Sequence, residues 1–220
     1  MIMENDKPVD AWSSLAPALV ASILLASALG GRSALGSPLA RSRGPTLLLA
    51  AAAGSIAIFS FHYHATHTWL GEWLDGVSLY FLAGYAIAWA ATRTVSCGST
   101  GIFTAIYLGV AAVPALLAAL VPEARKPAFV VLAVVAIVVE LLSRRRVSAR
   151  GNPAWLALAI GSFVAAGVAW TLDWTRTVCY PESWFQLHAV WHLLSAPTIL
   201  ALHAHFASER EVALPPPTGR

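Results

Sequence analysis

Apolar residues run along this chain in long, nearly unbroken stretches separated by short polar or basic breaks. They predict seven helical spans with soft ends, at about 12–31, 45–67, 74–92, 100–121, 127–143, 152–172 and 184–206. A bilayer core about 30 Å thick needs roughly 20 mostly apolar residues per helix, because no backbone donor or acceptor is left unpaired in hydrocarbon. The stretches are rich in Ala and Leu and lack period-two alternation, so a transmembrane β-barrel does not fit. Pro45, Pro127 and Pro153 fall at or near predicted helix starts, whereas Pro17, Pro114 and Pro197 lie inside apolar runs, where a kink is expected. Glu4, Asp6 and Asp10 precede the first span where a cleavable signal peptide would be basic, so that span is expected to be retained. The expected fold is an all-α polytopic membrane protein, a seven-transmembrane-helix bundle over residues 1–207, with a disordered tail over 208–220.

Composition agrees with that picture. Of the 220 residues, 58% are hydrophobic and 11% charged, far from the balance of a soluble domain. The net charge of +3 does not point to nucleic acid, because the basic residues sit in short clusters between apolar runs. Lys7, Arg125, Lys126 and Arg176 fall on one side of the seven spans. The other ten of the 14, Arg32, Arg41, Arg43, Arg93, Arg144, Arg145, Arg146, Arg150, Arg210 and Arg220, fall on the opposite side. The positive-inside rule then places the N-terminus outside and the C-terminus in the cytoplasm. In a bacterial host the membrane would be the inner one and the outer end of the bundle would face the periplasm. The two cysteines, Cys97 and Cys179, exclude a disulfide-rich scaffold, and the count sets them on opposite sides of the bilayer, so no intramolecular disulfide is expected.

Ionisable groups inside spans are costly and mark a function or a buried pair. Three histidines, His62, His64 and His67, lie at the outer end of the second span. Ser60 and His64, four apart, share a helical face, whereas His62 is turned roughly 160° from His64. His67 lies nearer water, as a supporting or an interfacial group. The last span supplies His188 and His192, again four apart on one face and at the depth of His64. Three imidazoles on two helices with a fourth position open is the pattern of catalytic Zn²⁺, which acidifies its water and polarises a carbonyl. Asp75, at the outer start of the third span, is placed to move a proton, and Ser60 to donate a hydrogen bond to an oxyanion. Taken singly, Asp75 also reads as a helix N-cap and each histidine as interfacial. His203 and His205, at the other end of the last span, read as interfacial packing. Trp69, Trp73, Trp174 and Trp184 read as an interfacial aromatic belt beside the proposed site.

The spacing Ser60-x3-His64, then Asp75, then His188-x3-His192, with Trp170-Thr171-Leu172-Asp173 and Trp191-His192-Leu193-Leu194-Ser195, resembles the alkaline ceramidases. These belong to a wider group of seven-span metal-dependent hydrolases that includes adiponectin-receptor-like proteins. The resemblance implies zinc held by His64, His188 and His192, a water between zinc and Asp75, and Ser60 near the reacting carbonyl. It implies cleavage of the amide of ceramide or a related N-acyl lipid into a long-chain base and a fatty acid. Animal members carry an acidic N-terminal calcium loop with a cysteine that pairs beyond the sixth span. Glu4, Asp6 and Asp10 do not reproduce that loop and no N-terminal cysteine is present to pair with Cys179, which argues against calcium regulation.

Three rivals remain at this point: a zinc- and lipid-binding receptor or sensor with little turnover, a haem-carrying electron-transfer protein, and a transporter. Haem leaves Asp75 and Ser60 unexplained. A transporter would need charged residues along a path, and here they gather at one depth.

Overall fold

The computed structural model describes residues 8–30, 37–95, 99–146, 149–178 and 185–211. Cys97, Cys179, Trp184 and residues 212–220 of the expected tail lie outside the described residues. The chain is built from helices: α1 (Pro8–Ser13), α2 (Ala16–Leu29), α3 (Pro38–Arg41), α4 (Arg43–Thr66), α5 (Trp69–Val95), α6 (Thr100–Leu120), α7 (Arg125–Arg146), α8 (Pro153–Trp174) and α9 (Leu187–Ala207). Two-residue strands β1 (Ala149–Arg150) and β2 (Arg210–Glu211) pair antiparallel.

Six stretches are long and apolar enough to cross a membrane: Val9–Leu29, Arg43–Thr66, Trp69–Val95, Thr100–Leu120, Pro122–Arg145 and Pro153–Trp174. The seventh expected span, α9, is 21 residues long like α6, but it is not among the six. It carries His188, His192, His203 and His205, which dilute its apolar run. Large apolar side chains such as Leu19, Val113, Leu116, Val131 and Val168 stand exposed on the outside of the bundle, a surface suited to lipid.

Local chemistry sets the helix ends. Ser99 and Asn152 cap α6 and α8 by accepting from the backbone N–H groups of Ile102 and Ala154, and Pro153 follows at a position that needs no donor. Where a kink at Pro17 is expected, the chain instead breaks between α1 and α2, leaving Pro17 in the first turn of α2. Pro114 and Pro197 sit inside continuous helices. Thr68 starts α5, its hydroxyl accepting from the Gly71 N–H at 3.1 Å. Asp75 is therefore well inside α5 and the N-cap reading of it is excluded.

α5 is the central helix, packed by α4, α6 and α7, while α8 packs on α9. α7 and α8 follow one another in sequence yet scarcely touch. Their rings Phe129 and Phe163 meet with centroids 6.1 Å apart.

At the end where α5 and α9 finish, a buried ion cluster fastens the bundle. The Arg93 guanidinium donates to Glu209, to Ser143 and, at 2.6 Å, to Glu140. Glu209 also accepts from the Trp89 indole at 2.9 Å and from the Ser37 hydroxyl at 3.0 Å. The two ring nitrogens of His205 lie 3.0 Å from a Glu140 carboxylate oxygen and 3.0 Å from the Asn152 carbonyl. His205 is fully buried, so the interfacial role expected for it gives way to a place in this cluster. Gly151 lies flush against it: a Cβ there would stand 2.3 Å from the His205 carbonyl oxygen. The expected boundary at residue 208 is crossed as well, since Glu209 is buried and Arg210–Glu211 is paired.

Candidate metal centre

The opposite end of the bundle holds the histidines. His64 lies in the last turns of α4, and His188 and His192 in the first two turns of α9, four residues apart and so on one face. The Nε2 atoms of His188 and His192 lie 3.1 Å and 3.3 Å from that of His64. Each of the three residues offers a ligand atom within 4.8 Å of the others. Neutral imidazole has one donor and one acceptor nitrogen, so three nitrogens meeting at a point satisfy at most one pair through hydrogen. One cation satisfies all three. Two nitrogens each about 2.0–2.1 Å from a tetrahedral centre stand about 3.3 Å apart, close to the spacing around His64. The donor set therefore fits a metal ion, with His192 buried and His64 and His188 partly buried.

The remaining predicted residues surround this group without joining it. Ser60, one turn before His64, is fully buried; its hydroxyl makes no hydrogen bond of good geometry among the described residues and faces the Asp75 carboxyl. Asp75 thus stands beside Ser60, one helical turn from His64, and is not itself one of the clustered ligands. His62 is exposed. His67 is exposed too and ends α4 in a left-handed conformation with φ 50, its N–H donating to the Tyr63 carbonyl, so it closes the helix and does not support the histidine group.

One neighbour, quoted in the sequence only as part of the Trp170-to-Asp173 stretch, was given no role there. Asp173, at the end of α8, holds a carboxylate oxygen 3.9 Å from His188 Nδ1, the ring nitrogen turned away from the cluster. A carboxylate behind a ligating histidine fixes its tautomer and ring orientation. The available signal was an acidic residue near the end of an apolar span, at the depth of His188.

Aromatic and basic groups frame the site. Arg125 pairs with Glu72 at 2.7 Å and lies over the Trp69 ring, and Lys126 lies over Trp174. Trp69 and Trp174 are exposed, whereas Trp73 turns inward and donates to the Ala115 carbonyl at 3.1 Å. Of the four tryptophans expected in an interfacial belt, the three described are parts of helices, two at the surface and one joining α5 to α6.

No curated protein and no solved structure matches the chain. The family model described as ceramidase does, over residues 13–211, which takes in every helix carrying a site residue. On that match, the chain belongs to the ceramidase family.

Proposed function

We propose that this protein is a zinc-dependent hydrolase working within the membrane, which cleaves the amide of ceramide or a related N-acyl lipid into a long-chain base and a fatty acid. Family membership supports an amidohydrolase acting on ceramide. The observation that carries the metal-dependent form is the meeting of three imidazole nitrogens, 3.1 Å and 3.3 Å apart, beside a carboxyl and a buried hydroxyl.

His64, His188 and His192 would hold the ion. When bound, zinc supplies a Lewis acid for the amide carbonyl and an acidified water. Asp75 takes the proton of the attacking water and returns it to the departing amine. The Ser60 hydroxyl donates to the carbonyl oxygen as charge gathers there. Asp173 keeps the His188 ring turned toward the cluster.

The bundle also suits an amphiphile. Between α7 and α8 a groove of about 390 Å³ opens sideways and reaches Trp170 and Trp191, the sequence neighbours of the site. A lipid can enter there with its chains still in hydrocarbon while its head-group amide meets the polar end. Arg41, Arg43, Arg144 and Arg145 lie at the end away from the histidines, so the positive-inside rule turns the site away from the cytoplasm.

The test is release of long-chain base from a panel of N-acyl lipids by detergent-purified protein, with and without a chelator, alongside metal analysis. Chelation should abolish release, and zinc should restore it. Asp75→Asn should retain the metal and lose about 10²–10⁴ in turnover. Release unaffected by the chelator removes the metal from the chemistry, and full turnover in Asp75→Asn removes the carboxylate.

A further inference from the structure

A second, smaller hollow of about 90 Å³ lies behind the groove, toward the Arg93 end, with Leu82, Ala86, Ile160, Leu202 and Phe206 in its wall and Glu140 at its end. The stripes that bear the site run down into it. On α5, Leu82 and Ala86 fall seven and eleven residues after Asp75; on α9, Leu202 falls ten after His192, about 15 Å along the helix. Apart from Thr198 and Glu140 its lining is apolar, a surface suited to hydrocarbon.

Groove and hollow share Phe129, Ala133, Ile137 and Phe163. The two phenylalanine rings stand edge to face at 6.1 Å, and each also meets Trp191, at 6.0 Å and 6.3 Å. Three rings therefore form a wall between the two spaces. Phe129 is buried in the core on α7, so it is the fixed side of the wall. Phe163 is only partly buried, and it stands on α8, whose packing is chiefly against α9. A Cβ on Gly167, one turn after Phe163 on the same face, would meet nothing, so α8 has open space beside this ring.

We propose that Phe163, closing against Phe129, determines acyl-chain length: the chain lies in the groove between α7 and α8 and stops at this aromatic wall, with the smaller hollow held in reserve behind it. This rests on the N-acyl-lipid reading of the site. Removing the Phe163 ring joins the two spaces and admits additional methylenes; enlarging it shortens the chain accepted.

The experiment is native mass spectrometry of the detergent-purified protein with saturated fatty acids from short to very long, which reads binding without turnover. Wild type should retain chains up to a cut-off. Phe163→Ala should move the cut-off to longer chains and raise retention of those just beyond it about tenfold, as about two more buried methylenes would. Phe163→Trp should move it to shorter ones, and it supplies the test if the alanine variant does not fold. The same cut-off in wild type and either folded variant, or no fatty acid retained by wild type, overturns the proposal. Long-chain-base release from ceramide by wild type is measured separately, so loss of the hydrolase reading and loss of the length stop show as different results.

Discussion

At the Arg93 end of the bundle, two carboxylates close around a guanidinium and a histidine ring, with hydroxyl, indole and carbonyl groups filling further hydrogen-bonding positions. At the histidine end, three ring nitrogens meet chiefly one another. Both clusters are buried in a mostly apolar helical protein, and they solve the cost of that burial differently. The first brings its counter-charges from its own sequence, which makes it a fastening. The second brings three ligand atoms within 4.8 Å of one another, which makes it the candidate metal site.

The largest expected effect that separates them follows from His192→Ala. It should remove the bound metal and reduce hydrolysis at least as far as Asp75→Asn does, while the helical bundle persists; full metal content in the purified variant would take His192 out of the ligand set. Arg93→Met should do the reverse. It leaves two buried carboxylates without their shared partner, costs about 3–5 kcal/mol of stability, and leaves the metal content of the folded fraction unchanged. An unaltered thermal midpoint would show that the cluster contributes nothing to holding the bundle together. A smaller effect refines the histidine side. Asp173→Asn should weaken zinc affinity about 10–100-fold by releasing the orientation of His188, and an unchanged zinc titration would show that the carboxylate at 3.9 Å does not act on the ring.

The two ends also differ in how far the sequence exposes them. Ser60, His64, His188 and His192 are legible because both pairs obey the four-residue period and both lie the same distance from a span end. Their convergence needs only that α4 and α9 be neighbours. The Arg93 cluster was hidden by the reading that counted Arg93 as a loop cation, although α5 continues to Val95 and buries it. Its partners lie 47 and 116 residues away and share no motif with it. His205 looked interfacial because nothing local shows that Glu140 and the Asn152 carbonyl come to meet its two nitrogens. Six apolar spans were legible from hydropathy alone, whereas α9 falls short as an apolar span and the break between α1 and α2 was not foreseen. The gap between α7 and α8 was not legible either, because it depends on which partners those helices choose, and period and composition do not encode that choice.

The wide separation of Arg93 from its carboxylates bears on how the protein is made. Synthesis runs from the N-terminus, so α5 carries its guanidinium to the bilayer before either Glu140 or Glu209 has been translated. Until then the side chain must extend to the head groups or hold water around it. Glu209 follows the final helix, so the cluster gains its second carboxylate only once almost all of the described chain has been delivered, and a product cut short before that residue would leave the Arg93 guanidinium to Glu140 and Ser143 alone.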